Sequence, residues 1–312
     1  MVDAVAVPPE AAIAVAAPRP SIRRRLQPVL GFFAVLLVIL VVWEVLKAIG
    51  GDPWRYDSFL WTGRAIEHIP PLDFSFATDI KLPHTWDIAA EFLALDAVGA
   101  TTAERLASAA VFTLRNAAIG FFLGSTLGLA LAIALVHVRA LERAVVPIIV
   151  ASQTIPIIAI APLIVIGLKA DWFGVAIVST YLTFFPVTIA ALRGMRAYDP
   201  RAMELMRSYA ASRGAILRKL RLPAARPYLF TGFRIAAPAA VVGAIVGELP
   251  SLIQDGLARQ IITGMQYYSL NAEYLWAAIV MSALLGIGVY LLVVGVETFV
   301  MRHERRPEAV PA

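Results

Sequence analysis

Six stretches of this chain are each long and apolar enough to cross a bilayer as a helix, and little else about its fold stays open once they are recognised. A hydrocarbon core about 30 Å thick takes about 20 apolar residues in helical form. Residues 29–49, 117–136, 144–168, 172–192, 227–247 and 275–296 meet that requirement. Glu44 and Lys47 fall only at the far end of the first run, and Arg234 is the one charge well inside the fifth. The second run extends back toward Ala109, taking in Arg115, and the sixth continues toward Val300. None alternates polar with apolar residues as barrel strands do. The expected fold is therefore an all-α membrane protein with six transmembrane helices. Charged residues make up 16% of the chain, against about 25% in a soluble domain. That balance excludes a disordered chain, an ordinary soluble enzyme and a nucleic-acid module. The chain has no cysteine, which excludes thiol nucleophiles and thiolate metal sites.

The basic residues set an orientation. Of the 27 Lys and Arg, 18 lie in the N-terminal tail, between spans two and three, between spans four and five, and after span six. With six spans these segments share one side, which the positive-inside rule makes cytoplasmic. Both termini are expected there, and the net charge of +5 is what such flanking residues produce. The apolar stretch 11–17 is too short, and has no basic residue before it, to read as a signal peptide. Residues 1–28 are expected to form a disordered cytoplasmic tail, 29–49 the first helix and 50–108 an outer segment. A five-helix core over 109–300 and a cytoplasmic tail over 301–312 follow. In the outer segment Trp54, Tyr56, Trp61 and Trp86 suit a membrane interface. Residues 85–95 and 102–110 are expected as short surface helices there, and the second outer segment, 248–274, as partly re-entrant.

Gly120, Gly124 and Gly128 recur at four-residue spacing and give the second span one smooth face for close packing. Pro147, Pro156, Pro162, Pro186 and Pro238 lie within spans. Each removes a backbone donor and favours a kink, and kinked helices either reflect membrane tolerance or line a cavity.

The loop between spans four and five is the most informative segment. Asp199 suits an N-cap and Pro200 the first helical position, which predicts a helix over 200–209. Ser212 caps a second short helix, which Pro223 is expected to end. The loop is similar to the E-A-A-x3-G-x9-I-x-L-P segment of the permease subunits of bacterial ABC importers. Glu204 stands at the acidic position, Leu205 and Met206 at the alanines, and Ala210 at the glycine. Leu220 stands at the isoleucine, and Leu222 and Pro223 form the closing pair. Alanine in place of glycine argues against a sharp left-handed turn at 210. The sequence from Thr113, TLRNAAIGFFLGSTLGLALA, resembles the second span of these permeases, and SQTIPIIAIAPLIVIGL from Ser152 their third. LPHTW at Leu82 resembles the short outer helix before their core. The likeness covers about 82–300 and lies nearest the nitrate, sulfonate and taurine branch.

The resemblance implies the transmembrane subunit of an ATP-driven importer of type I architecture in the bacterial inner membrane. Two permease copies would pair, most simply as a homodimer. An ATP-binding subunit would receive the coupling loop 193–226 through Glu204, Arg207, Ala210, Leu220, Leu222 and Pro223. A solute-binding protein would deliver the ligand from outside. No cofactor is implied on this chain, ATP being bound by the partner, and indeed it holds no G-x-x-x-x-G-K-[ST] and no Gly-Lys pair. Membrane lipid is the remaining partner expected; nucleic acid is not.

No catalytic constellation is visible. His68, His84, His137 and His303 are far apart and never at metal-binding spacing. Arg234 either snorkels to the interface or meets a partner inside the bundle. Glu248 is either interfacial and solvated or lines a path. Gln153, Thr154, Tyr181, Thr183 and Phe184, with Phe185, are polar or aromatic at membrane depth and serve either as helix glue or as a path. With Tyr267 and Tyr268 they offer flat faces and few charges, which favours a small heteroaromatic nutrient such as a thiamine precursor or a flavin over nitrate, a sulfonate or taurine. An autonomous secondary transporter is the rival reading. It would show matched broken helices in two halves, and no such repeat relates spans one to three with four to six.

Overall fold

The structure, a computed structural model, describes residues 22–56, 66–95, 99–168, 171–251 and 253–304. Most of the expected N-terminal tail, with Trp61, lies outside the described residues. The chain divides into two compact units, Met1–Thr85 and Trp86–Ala312.

The first unit is built on α1 (Ile22–Gly50), which starts seven residues before the apolar run does, so 22–28 belong to the helix rather than to a tail. Most of its apolar side chains are exposed, with Leu30, Phe33, Val35 and Leu37 each near 60%. A continuous apolar surface of that size belongs against lipid. Its polar end is different. Lys47 is completely buried and ion-paired with Asp79. Glu44 Oε1 accepts from the backbone N–H of Thr85 at 2.7 Å and from its hydroxyl at 2.6 Å, and His84 Nδ1 donates to Glu44 Oε2 at 2.8 Å. The indole of Trp43 donates to the Pro83 carbonyl at 2.9 Å. Pro83, His84 and Thr85 thus close over the end of α1 and satisfy charges that membrane depth would penalise. Between them β1 (Trp54–Tyr56) and β2 (Ile66–His68) form a two-stranded antiparallel ladder, Trp54 opposite His68, which sequence patterning does not reveal.

In the second unit α2 (Thr85–Glu91) precedes α3 (Thr102–His137). Residues 102–110 are not a separate surface helix. Thr101 and Glu104 close a reciprocal capping box, and nothing downstream breaks the helix, so the second span starts at that cap. After α3 come α4 (Arg139–Ser152), α5 (Ile157–Gly167) and α6 (Trp172–Gly194). Next are α7 (Pro200–Ser208), α8 (Arg213–Ile216) and a π-helical turn over Leu217–Arg221. The unit ends with α9 (Leu222–Glu248), α10 (Leu257–Gln266) and α11 (Ala272–Glu304). Among the described residues five helices are long and apolar enough to span, and α4 with α5 form a sixth, broken candidate bent by 95°. The third run is therefore not one straight helix. Pro156 carries no N–H and holds the residue before it extended, so the chain turns at 153–156. Pro147, Pro162, Pro186 and Pro238 sit within helices that continue past them.

The core of this unit is α6, packed between α3 and α9, which also meet each other. The α3 glycines make this possible. A Cβ on Gly124 would stand 2.6 Å from Thr183 Cβ and 2.8 Å from the Thr180 carbonyl oxygen, and one on Gly128 2.7 Å from the Phe184 carbonyl oxygen. From α9, a Cβ on Gly243 would meet Ser179 Cα at 2.7 Å. Ser179 Oγ instead donates to the Ala240 carbonyl at 2.9 Å. Helices in lipid gain little from apolar burial against each other, so contact at backbone distance, with dispersion and such hydrogen bonds, holds them together.

Candidate functional site

The loop from α6 to α9 is shaped by its caps. The Asp199 side chain accepts from the Arg201 N–H at 2.9 Å, and Pro200 follows at the helix start. The Ser212 hydroxyl accepts from the Ala215 N–H at 3.2 Å and starts α8. Between them Ala210 has φ of 51°. The chain adopts the left-handed turn without glycine, contrary to what alanine alone argues. The Ala210 and Ala211 N–H groups bond to the carbonyls of Arg207 and Met206 at 2.9 Å each, and this closure offsets the roughly 1–2 kcal/mol that Cβ costs in that conformation.

Pro223 does not end the second helix. It lies at the start of α9, and α8, the π turn and α9 run on continuously over Arg213–Glu248. A π turn reaches one residue further for each hydrogen bond, which accommodates the missing proline donor. The loop is thereby joined rigidly to a spanning helix. On α7, Met203 is buried while Glu204 and Leu205 are exposed, as is Tyr209 at its C-cap. Its outward face is free of partners from this chain's described elements, and Leu220, Leu222 and Pro223 lie half-buried at the join.

The residues singled out for a path separate into three places. Gln153 and Thr154 lie at the α4–α5 break. The Tyr181 hydroxyl donates to the Ser152 carbonyl there, and the Phe184 ring lies 5.9 Å from that of Tyr181. Gln153 Nε2 is buried without a hydrogen-bond partner among the described residues. Phe185 lies one residue on, half-buried. Thr183 instead points to the α3 seam at Gly124, its hydroxyl bonded to the Ser179 carbonyl at 2.8 Å. Glu248 is not solvated. It is 3% exposed and accepts from the Thr113 hydroxyl at 2.9 Å, from Asn116 Nδ2 at 3.4 Å and from the Ala258 N–H at 3.4 Å. Thr113 in turn accepts from the Leu257 N–H at 2.9 Å. The close approach of Gly256 to this carboxylate leaves no room for a Cβ.

Arg234 does not snorkel free. It is paired with Glu297 of α11 at 2.5 Å, a partner just beyond the sixth apolar run. Arg115 lies with Phe112, Asp255 and Gln260 around a cavity of about 470 Å³ at the start of α3. Asp255 and Gln260 carry no motif, and only the fold brings them to Arg115. His68, His84 and His137 are engaged by the chain itself, His68 with the Ala48 carbonyl at 2.7 Å, His84 with Glu44 and His137 Nδ1 with the Ile133 carbonyl at 2.7 Å. Among the described residues no cluster of three or more His, Asp or Glu is placed to hold a metal.

Known proteins resemble part of this chain. The formylaminopyrimidine transport permease protein ThiX of Halalkalibacterium halodurans is 40% identical over 141 residues, covering 44% of this chain and 54% of that protein. The riboflavin transport system permease protein RibX of Chloroflexus aurantiacus is 31% identical over 169 residues, 54% of this chain and 62% of that one. The putative aliphatic sulfonates transport permease protein SsuC of Bacillus subtilis is 30% identical over 179 residues, 56% and 62% respectively. The chain thus spans between about half and two thirds of the length of these relatives. Residues 124–302 match the family described as Binding-protein-dependent transport system inner membrane component. That match takes in most of the helical core and the whole capped loop, more than half of the chain, and the chain belongs to this family of binding-protein-dependent transport system inner membrane components.

Proposed function

We propose that this chain is the permease of an ATP-driven importer, working with a separate ATP-binding subunit, an extracytoplasmic binding protein and a second permease copy. The observation that carries the reading is the loop: two capped helices, held by a left-handed turn, continue through a π turn into the spanning α9. A push on α7 is then a push on α9, because no flexible joint separates α8 from it. Glu204, exposed in α7, faces the ATPase in this reading, with Arg207 at the inner edge of the same docking helix, while Ala210 sets the angle between the two short helices. Leu220, Leu222 and Pro223 transmit the motion. ATP hydrolysis belongs to the partner, and this chain is not an enzyme. Both termini and the loop lie on the cytoplasmic side of the inner membrane.

For the path we propose the α4–α5 break, with Gln153, Thr154, Tyr181 and Phe184. Irregular backbone at membrane depth is tolerated where it lines a cavity or is buried in protein, and an unpartnered amide beside two aromatic rings suits a ligand with polar edges and a flat face. Thr183 and Glu248 are left out of the path, since one seals a helix seam and the other an internal network. Arg115, Phe112 and Asp255 stand at the outer mouth. Few charges, aromatic faces and amide groups favour a small heteroaromatic nutrient, in line with the pyrimidine and riboflavin named for two of the relatives. Uptake by the complex reconstituted with its binding protein tests this. Saturable, ATP-dependent uptake of an aminopyrimidine or a flavin is expected. Uptake of taurine or nitrate with no response to either heterocycle would overturn the substrate class.

A further inference from the structure

Beneath α7 lies a cavity of about 290 Å³ whose charged lining is entirely basic. His137, Met203, Arg207, Arg213 and Arg221 surround it, together with Val136 at the end of α3, and no acidic residue contributes. The arginines come from three different elements. Arg207 is on α7, beyond the buried Met203; Arg213 begins α8; Arg221 closes the π turn. Arg221 is held in place from two directions. Its Nη1 donates to the Val136 carbonyl at 3.1 Å, and its guanidinium lies 5.7 Å from the Tyr198 ring centre. Its Nε is buried with no hydrogen-bond partner among the described residues. His137 Nδ1 is bonded to the Ile133 carbonyl at 2.7 Å, which fixes the ring at the end of α3.

Three guanidiniums stay charged at any physiological pH. Converging on one small cavity, they repel each other, and the carbonyl end of α3 offsets only part of that repulsion. An anion offsets the rest. Planar guanidinium groups match phosphate oxygens two at a time, and basic pockets among helices at the cytoplasmic face receive phosphorylated headgroups. The π turn adds to the argument. One inserted residue rotates what precedes it by about 100° relative to the rest of the helix, and so sets Arg213 and Arg221 relative to α9.

We propose that this cavity binds a phosphate group, supplied by an anionic lipid headgroup or by free phosphate, and so ties α7 to the end of α3. The proposal does not depend on the substrate of transport. It is tested on the full-length permease, alone and in complex with its ATP-binding subunit. Thermal unfolding is followed while titrating inorganic phosphate, or phosphatidylglycerol in phosphatidylcholine bicelles. A saturable rise in the midpoint is expected with at least one probe. Response to the lipid alone identifies a headgroup site, and response to phosphate a site open to the free ion. Arg213→Gln and Arg221→Gln should each weaken the response at least tenfold, and Arg213→Lys should restore part of it. Arg221→Gln also loses the Val136 contact; if it does not fold, the exposed Arg213 carries the test. Lys219→Gln, in the same turn but outside the cavity, should leave the affinity unchanged. The proposal fails if neither probe saturates or if Lys219→Gln weakens binding as much as Arg213→Gln. It also fails if the response vanishes once the ATP-binding subunit is bound, since an acidic side chain of that partner would then be the true occupant.

Discussion

The two ends of the helical unit handle charge in opposite ways. At the Glu248 end a single carboxylate is buried and almost fully bonded, with Thr113, Asn116 and Ala258 as donors and Thr113 in turn accepting from the Leu257 N–H. At the Arg221 end several bases converge on a cavity with no acid in its lining. A buried charge whose partners are all internal fixes a structure and has nothing left to bind. A set of like charges without a counter-charge is incomplete until something else supplies one. The difference teaches that burial alone does not mark a functional residue: Glu248 is the more buried group, and the Arg221 end is the one open to partners.

Breaking the satisfied end should have the largest effect. Glu248→Ala strands the Thr113 hydroxyl, the Asn116 amide and the Ala258 N–H, at about 1–3 kcal/mol for each donor left unsatisfied in the interior. A drop of many degrees in the unfolding midpoint of purified protein is expected, or failure to accumulate in the membrane. Glu248→Gln keeps an acceptor and the volume and should fall between. If Glu248→Ala unfolds like wild type, the cluster is not structural and the contrast between the two ends collapses.

Glu204→Ala tests the other end. The side chain is exposed, so the midpoint should hardly move, whereas transport driven by ATP should fall at least tenfold while substrate-independent hydrolysis persists or the ATPase dissociates. Wild-type uptake by this variant would remove Glu204 from the docking face.

The comparison also demands that the ends of the chain's spans lie on known sides. Asp73 is exposed in the first unit and Gly214 is exposed in α8, with open space around a side chain placed there. Both are better reporters than Asp79, which pairs with the buried Lys47, or Ser212, which caps α8. In the naturally cysteine-free chain, Asp73→Cys should react with an impermeant thiol reagent on intact cells, and Gly214→Cys only after lysis. The reverse pattern would invert the orientation.

The smallest effect is expected at the turn. Ala210→Gly removes the Cβ strain at φ of 51° but adds freedom to the unfolded chain, for a net stabilisation of about 1 kcal/mol or less. A lower midpoint would mean that the Ala210 side chain makes contacts that outweigh its strain.

Much of this molecule is readable residue by residue, because it depends on neighbours in sequence. Apolar runs locate the spans, since lipid accepts only helices with satisfied backbones. Asp199 and Ser212 announce their helices because a cap bonds two or three residues ahead. The four-residue spacing of Gly120, Gly124 and Gly128 marks a packing face before the partner is known. What escapes the sequence depends on distance in the chain. Glu248 reads as either solvated or path-lining until the fold brings Thr113 and Asn116, more than 130 residues away, to its oxygens. Arg234 reads as either snorkelling or internally paired until α11 places Glu297 beside it. The prolines in 144–168 announce a disturbance but not a 95° bend, since the angle depends on what α5 packs against. Ala210 takes a conformation its own chemistry disfavours because the hydrogen bonds of the turn and two capped helices impose it. Sequence determined which segments enter the membrane and where the loop helices begin, because those are local balances of solvation and backbone bonding. Only tertiary structure decided which buried charges are satisfied and which await a partner, because a charge is stabilised by whatever stands within a few ångströms of it, however far away along the chain.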